Sequence, residues 1–340
     1  METKLLPLDA EGLELATALI RRGELVAFPT ETVYGLGGNA LDAAAVARIF
    51  EAKGRPADNP LIVHIWHTSQ AAQYCHWSDT AQQLADAFWP GPLTLLLPKK
   101  PIIPSVVTAG LDTLALRFPS HEGARRFLQA CDLPIAAPSA NASGRPSPTT
   151  AQHVYTDLQG RIPLILDGGA AQVGLESTVL DITSAHPVVL RPGAVTPEQV
   201  AMVVGSCDVA PSVMRPLQAG EKAQSPGMRH RHYAPKAQLS LVEGEREAVA
   251  AYICRMVDQQ PGARILAMGG NVSLYGDRQV DDMGADAQQA AQRLFYLLRQ
   301  YDDQKVQRVW CEVLPQTGLG LAVMNRLARA AQFDIRQAGV

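Results

Sequence analysis

Lys53 and Arg55 stand two positions apart in the run Lys53-Gly54-Arg55-Pro56-Ala57-Asp58-Asn59-Pro60-Leu61, where a helical pattern stops. Two cations so placed suit a polyphosphate, because Arg presents a planar fork of donors and Lys a compact point charge. The competing reading is a solvated helix end whose basic residues favour the helix dipole. The proline and glycine density of this loop favours the first, since a merely solvated end needs no such stiffening. A second polar run, Ala137-Pro138-Ser139-Ala140-Asn141-Ala142-Ser143-Gly144-Arg145-Pro146-Ser147, follows a strand pattern. Its small hydroxyl and amide groups fit phosphate, ribose or base at the carboxyl end of a strand, where open α/β sheets bind ligands. An ordinary Ser/Pro turn is the alternative. Gly174-Leu175-Glu176-Ser177-Thr178 adds a hydroxyl, and Arg191-Pro192-Gly193 adds a cation.

His64 and Arg117 each sit inside an apolar strand pattern. A histidine there is either a satisfied core residue or a ligand contact, but a buried arginine requires an anionic partner. Gly35-Leu36-Gly37 with Ala40 has the spacing of a dinucleotide fingerprint, yet Pro29 to Tyr34 separate it from the strand, and a glycine-permitted turn is the plainer reading. There is no Gly-Lys pair and so no Walker A loop, and His121-Glu122 is followed by Arg125, which excludes H-E-x-x-H. His230 and His232 have no third ligand near them in sequence, so a metal site is not expected.

The elements that must position these groups read as two domains in 340 residues. Hydrophobic residues make up 47% and charged residues 19%, the range of a folded globular chain. Asp9 caps a helix with Leu13, Ala16, Leu19 and Ile20 on one side, and Gly23 ends it. A helix from about position 42 carries Val46, Ile49 and Phe50 inward and stops at Gly54. Strand patterns fall at 25–28, 61–65, 93–97, 113–118, 134–137, 164–166, 178–182 and 188–190, with helices near 79–88, 120–130, 149–157 and 196–203. Some connections are too short for a helical crossover, so the sheet is expected to be mixed. Periodicity fails over 205–235, a proline- and glycine-punctuated stretch read as a linker. Beyond it, strands at 239–242, 264–268 and 308–311 alternate with helices at 245–259, 286–301 and 321–331, predicting a small parallel Rossmann-like sheet.

A formal net charge of −3 offers no basic field for non-specific nucleic-acid binding. Five widely spaced cysteines without a C-x-x-C pair suit a reducing compartment. The first residues lack a signal-peptide pattern, and no run approaches the ~18 apolar residues of a membrane span. The expectation is a cytoplasmic protein with no membrane partner.

Together, Pro29-Thr30-Glu31-Thr32-Val33-Tyr34-Gly35-Leu36, Lys53-x-Arg55, Ser139-x-Asn141, Glu176-Ser177-Thr178 and Arg191-Pro192-Gly193 resemble the YrdC-type threonylcarbamoyl-AMP synthases. Ser225-Pro226-Gly227-Met228-Arg229-His230-Arg231-His232-Tyr233-Ala234-Pro235 and the α/β pattern after it resemble the two-domain form of that family. Arg229 and His230 depart from it, standing where the pattern often has Lys and Tyr. The resemblance implies a YrdC-like catalytic domain with a twisted mixed sheet over 1–204, a linker and active-site lid over 205–236, and a Rossmann-like domain over 237–340.

It further implies a nucleotidyltransferase that joins L-threonine, bicarbonate and ATP into threonylcarbamoyl-adenylate with release of pyrophosphate. Other proteins then transfer the group to the adenosine beside the anticodon of tRNA. By the same resemblance Lys53 and Arg55 are the catalytic cations on the triphosphate. Asn59, Thr113, Ser139, Asn141, Ser147 and Arg191 hold the nucleotide, and Tyr233 closes over it. Thr32, His64, Arg117 and Ser177 form the L-threonine side, with Arg117 on its carboxylate. Mg2+ is expected with ATP, held by phosphates and water. The alternative is a module for double-stranded RNA or tRNA, which the charge balance disfavours; an enzyme of this kind need not grip tRNA itself.

Overall fold

The computed structural model describes residues 1–216 and 233–339. These divide into two compact units. The first comprises Met1–Ser143 and Ser147–Val213. The second comprises Gly144–Pro146, Met214–Pro216 and residues 233–339.

The first unit opens with strand β1 (Lys4–Pro7), helix α1 (Ala10–Arg21), β2 (Val26–Phe28), β3 (Gly35–Asn39), α2 (Ala43–Lys53) and β4 (Ile62–His64). Then come α3 (Ala71–Tyr74), α4 (Asp79–Phe88), β5 (Leu93–Pro98), β6 (Thr113–Arg117), α5 (Glu122–Cys131), β7 (Ile135–Ala136) and α6 (Ala151–Leu158). It closes with β8 (Leu164–Asp167), β9 (Thr178–Asp181), β10 (Val188–Arg191), α7 (Pro197–Val204) and β11 (Asp208–Val209). The strands form one sheet in the order β1-β8-β2-β3-β7-β4-β6-β5-β9-β10-β11. Pairing is parallel for β4 with β6 and β5 with β9, and antiparallel for β2 with β3, β7 with β4 and β5 with β6. The sheet is therefore mixed, as its short connections require.

Local chemistry sets the helix ends. Asp9 accepts from Gly12 N at 2.9 Å to begin α1, and Leu13, Ala16 and Ile20 turn inward. Asp42 accepts from Ala44 N and Ala45 N to begin α2, and Gly54, at φ 60°, ends it in the left-handed conformation. Thr196 and Gln199 form a reciprocal capping box on α7, with Pro197 in its first turn. Apolar clusters cover the sheet, among them a small one of Ile62, Leu96, Ala115, Val179 and Leu190 and two larger ones. One gathers Ile20, Val26, Phe28, Phe127 and Leu164, and the larger one gathers Val46, Ile49, Val63, Leu95, Leu116 and Leu180.

The stretch Gly35–Asn39 departs from both readings of its glycines: it is a strand between β2 and β7. A Cβ on Gly37 would lie 2.8 Å from Ile135 Cγ2 and 3.0 Å from Phe28 Cε1. Glycine is here to let neighbouring side chains close onto the backbone, neither for a turn nor for a pyrophosphate. The start of the expected linker is also structured, because β11 pairs in parallel with β10 and a 3-10 turn follows at Pro211–Val213. The sequence pattern does not predict β1; its register with β8, Lys4 opposite Leu164, creates it.

The second unit contains β12 (Gln238–Glu243), α8 (Arg246–Asp258), β13 (Arg264–Ala267), β14 (Val280–Asp282), α9 (Ala287–Asp303), β15 (Arg308–Glu312), α10 (Gly318–Ala330) and β16 (Ile335–Gln337). Its sheet is wholly parallel in the order β14-β13-β15-β12-β16. Val242, Ile253, Ile265 and Trp310 form its core with Tyr275. The short edge strands β14 and β16 add to the three that the hydrophobic pattern predicts. No helix among the described residues is long and apolar enough to cross a membrane. All five cysteines are free, and burial pushes the thiols of Cys75 and Cys131 up to about 12.

The Asp42 cap gives a first test. Asp42→Ala leaves two amide donors of α2 without their acceptor and is expected to cost about 1 kcal/mol in urea unfolding.

Candidate active site

Three loops meet at Tyr34. Its backbone N donates to Pro148 O and its O accepts from Ala140 N, while Leu36 N donates to Pro138 O. The Tyr34 hydroxyl donates to Gly169 O at 2.6 Å, and Val173 N donates to Glu31 O. The Pro29–Gly35 run, the Ser139 run and the 167–173 turn thus form one hydrogen-bonded frame. Within it Thr30 and Thr32 share a hydrogen bond of 2.8 Å, which fixes Thr32, fully buried, near the turn.

Lys53 ends α2 and is 3% exposed. Its ammonium donates to Ser139 O at 2.5 Å, Asn141 O at 2.6 Å and Asn141 Oδ1 at 3.3 Å. Ser143 N returns a bond to Lys53 O, and Ser139 Oγ donates to Asn141 Oδ1 at 2.5 Å. The expected phosphate lysine and the Ser139-x-Asn141 turn are therefore one structure, although 86 residues separate Lys53 from Ser139. Arg55 donates to Asn59 O at 3.1 Å and lies 5.8 Å from the Phe50 ring centroid. This closes the loop on itself and holds Asn59 inside, where both its amide oxygen and its amide nitrogen are buried without a partner among the described residues. An amide in that state costs free energy unless a ligand completes it.

The second group forms around Ser177. Its Oγ shares a hydrogen bond of 2.8 Å with Thr94 Oγ1 and accepts from Arg191 Nη2 at 3.1 Å, while Arg191 Nε donates to Ser177 O. Register places Thr94 directly opposite Arg117, and Arg117 opposite His64. Gly193 makes this approach possible: a Cβ there would lie 2.4 Å from Thr178 N and 2.8 Å from Glu176 O. Beside Ser177, Glu176 accepts from the Ser147 hydroxyl, a buried pair.

Arg117 is buried, as its apolar setting predicts, and its anion is Glu31, with Nη2 2.7 Å from Oε1. Nε donates to Gly91 O at 3.3 Å. Burial raises the Glu31 carboxyl, but the charge and hydrogen bond of Arg117 outweigh it and hold the group below its ordinary 4.5. The Glu31 carboxylate is thus charged at neutral pH. His64 is enclosed beside the pair, edge-on to Phe28 with ring centroids 6.0 Å apart. Burial, then the charge of Arg117, pull its imidazole down to about 3, and its Nδ1 has no partner among the described residues.

Thr113 is not joined to this group. It begins β6 and Arg117 ends it, roughly 13 Å away at strand spacing. Asn59 precedes β4, the parallel partner of β6, and so lies toward the Thr113 end. Tyr233 packs its ring within the second unit, stacked on Phe295 at 5.4 Å with the Arg326 guanidinium 5.6 Å from its centroid. Ser225, Met228, Arg229, His230, Arg231 and His232 lie outside the described residues. Sequence reasoning missed Glu31 as the partner of Arg117, Thr94 as that of Ser177 and Glu176 as that of Ser147. The need of a buried arginine for an acid signals the first in kind, but its partner is 86 residues away.

The fold and this site define a two-unit α/β protein in which loops between strands of a mixed sheet gather buried cations, hydroxyls and a paired carboxylate. Residues 18–193 match the Sua5, YciO and YrdC family model, described as telomere recombination. Residues 195–332 match the threonylcarbamoyl-AMP synthase C-terminal domain. The chain is 46% identical to a threonylcarbamoyl-AMP synthase of Pyrococcus abyssi, covering 95% of each chain, and 48% identical to one of Bacillus subtilis, covering 93% of this chain and 92% of that one. It is also similar to a solved structure of Pyrococcus abyssi Sua5 complexed with L-threonine, at TM-score 0.90 and 44% identity over 99% of this chain and 98% of that one. The chain belongs to the threonylcarbamoyl-AMP synthase family in its two-domain form.

Two measurements test this construction. Gly193→Ala forces a Cβ into the Ser177 backbone and is expected to destabilise the protein by ~1–3 kcal/mol in urea unfolding and to lower activity with it. His64 is protonated near 6.5 when unfolded but only near 3 when folded, so its contribution to stability is complete above 6.5 and falls as pH drops toward 3. His64→Leu should therefore show a shallower loss of stability across that window than the unsubstituted protein.

Proposed function

We propose that this chain is a nucleotidyltransferase that forms threonylcarbamoyl-AMP from L-threonine, bicarbonate and ATP. The threonine amine attacks CO2 derived from bicarbonate, forming a C–N bond and releasing a proton, to give N-carboxy-threonine. A carboxylate oxygen of that species attacks the α-phosphorus of ATP. The bond from the α-phosphorus to the bridging oxygen breaks, and pyrophosphate leaves with the electron pair. The product is a mixed anhydride suited to later transfer onto tRNA by other proteins.

The observation that carries this reading is the contact at Ser177. This hydroxyl, expected on the amino-acid side, accepts from Arg191, expected on the nucleotide side, at 3.1 Å. An enzyme that joins two substrates must bring their binding groups within one bond of each other, and here they share one. Lys53 and Arg55 neutralise the triphosphate, Asn59 completes its orphaned amide on the nucleotide, and Ser139, Asn141 and Ser147 supply neutral hydrogen bonds. Arg117, through the terminal nitrogen that Glu31 leaves free, takes the threonine carboxylate. Thr32 and His64 border the same amino acid, and neutral His64 adds no charge against its ammonium. Stabilisation of charge at the α-phosphorus by fixed donors is the main contribution to rate.

Mg2+ enters with ATP as part of the substrate. Glu31 and Glu176 are engaged with Arg117 and Ser147, and among the described residues no group of three or more His, Cys, Asp or Glu is placed to hold a metal. Phosphate oxygens and water would carry the ion. Thr113 and Tyr233 belong to the nucleotide side by family resemblance, and the cytoplasm is the proposed location.

Mass spectrometry of the full chain with ATP, Mg2+, L-threonine and bicarbonate, each omitted in turn, tests the reaction. An adenylate that needs both threonine and bicarbonate is expected, and Lys53→Ala should lower its rate by roughly 100-fold or more, the scale of removing one charge-stabilising donor. Arg117→Ala should raise the threonine KM strongly while leaving the ATP KM nearly unchanged; equal effects on both would remove Arg117 from the amino-acid side. No adenylate from folded, ATP-binding protein would turn the reading toward an RNA-binding module.

A further inference from the structure

A buried arginine at the meeting point of two substrates poses a problem of selection. The guanidinium fork matches phosphate as well as it matches carboxylate. Around Ser177 the reaction brings together a triphosphate, the pyrophosphate it releases and an amino acid that is a zwitterion with no net charge. An uncompensated guanidinium in a low-dielectric site would be held most strongly by the most highly charged anion present.

Arg117 is not uncompensated. Glu31 Oε1 lies 2.7 Å from Nη2, and both side chains are 4% exposed. Nε is engaged by Gly91 O. Nη1 has no partner among the described residues, so one donor group remains on a pair whose net charge is zero. The backbone amides of Glu31 and Ser120 also favour the charged carboxylate, and its second oxygen, Oε2, is buried with no hydrogen bond of its own among the described residues. Were Glu31 only a brace for the fold, a neutral side chain of the same shape would serve without leaving a charged acceptor unsatisfied, a state that ordinarily costs free energy. The Pro29–Gly35 frame nevertheless holds the carboxylate there. The pairing with Arg117 outweighs the cost of burial and keeps its charge at neutral pH.

We propose that Glu31 determines the specificity of the amino-acid subsite: by pairing with Arg117 it leaves a net-neutral donor that accepts the carboxylate of a zwitterionic amino acid and rejects phosphate. Glu31 acts through Arg117 and is a positioning residue, not a catalytic one. The pair meets its ligand charge for charge, since the ligand brings its own ammonium with its carboxylate. Pyrophosphate brings several negative charges and nothing to offset the Glu31 carboxylate beside it. This inference rests on the reading of Arg117 as the threonine-carboxylate group.

The test uses the full chain, with L-threonine and inorganic pyrophosphate as probes. In the unsubstituted protein pyrophosphate should inhibit without being relieved by threonine; inhibition competitive with threonine would already overturn the proposal. Glu31→Gln keeps the shape and removes the charge. It is expected to weaken threonine binding in calorimetry by about tenfold or more, the loss expected for one charge-assisted contact. It should also make pyrophosphate inhibition competitive with threonine, a change in pattern that a merely structural loss would not produce. Glu31→Asp keeps the charge and should still exclude pyrophosphate; identical inhibition patterns in the two variants would show that shape decides, and would overturn the proposal. Arg117→Lys separates the two layers of the argument. If it leaves threonine affinity unchanged, the underlying assignment of Arg117 fails, whereas a large loss there with no change in Glu31→Gln defeats the role of Glu31 alone.

Discussion

The burial of Arg117 is the constraint around which the first unit is arranged. A guanidinium enclosed at the end of a central strand is tolerated only with an anion beside it, and removing one partner of such a pair costs about 3–5 kcal/mol. The anion comes from the Pro29–Gly35 run, 86 residues away in sequence. Holding Glu31 there requires that the run be fixed, and it is fixed by backbone bonds to Ala140, Pro148 and Val173 and by the Tyr34 hydroxyl on Gly169 O. The same bonds bring Ser139 and Asn141 over the end of α2, where their carbonyls receive the Lys53 ammonium. One buried charge and its compensation thus organise the loops that make up the site.

The two cationic centres are built on different principles. Lys53 donates to the carbonyl oxygens of Ser139 and Asn141, which are neutral acceptors. Arg117 is paired with a carboxylate, which cancels its charge. Under the proposed function, Lys53 serves the triphosphate and the Arg117–Glu31 pair serves the amino acid. Close packing then determines which residues can be small: Gly193 admits the Ser177 backbone, and Gly37 admits the Phe28 and Ile135 side chains.

The second unit repeats the logic of charge and packing in a parallel sheet. Glu312 ends β15 and accepts from Met268 N, Asn271 Nδ2 and Tyr275 OH, which fastens the segment after β13 across the end of the central strand. Burial and that same carboxylate push the Tyr275 hydroxyl far up, so it stays a donor. Tyr233 enters this unit with its ring on Phe295 and beside Arg326.

Several features of this protein follow from sequence alone because they depend on neighbours in the chain. Asp9 and Asp42 begin helices and Gly54 stops one, since a cap and a left-handed residue act on amides a few positions away. Alternation of strand and helix patterns gives a mixed sheet in one half and a parallel sheet in the other, because connection length limits strand direction. Arg117, set among apolar residues, already demands an anion, and the types at Lys53, Ser139, Asn141, Ser177 and Arg191 already suggest the chemistry. Only tertiary structure decided that the anion is Glu31 and that Lys53 closes on the Ser139 turn. It also decided that Gly35–Asn39 is a strand and that β1 exists, because both are made by partners distant in sequence. The physical reason is the range of the forces: capping and turn formation act within a few residues, whereas ion pairing, strand register and close packing act between residues that only folding brings together.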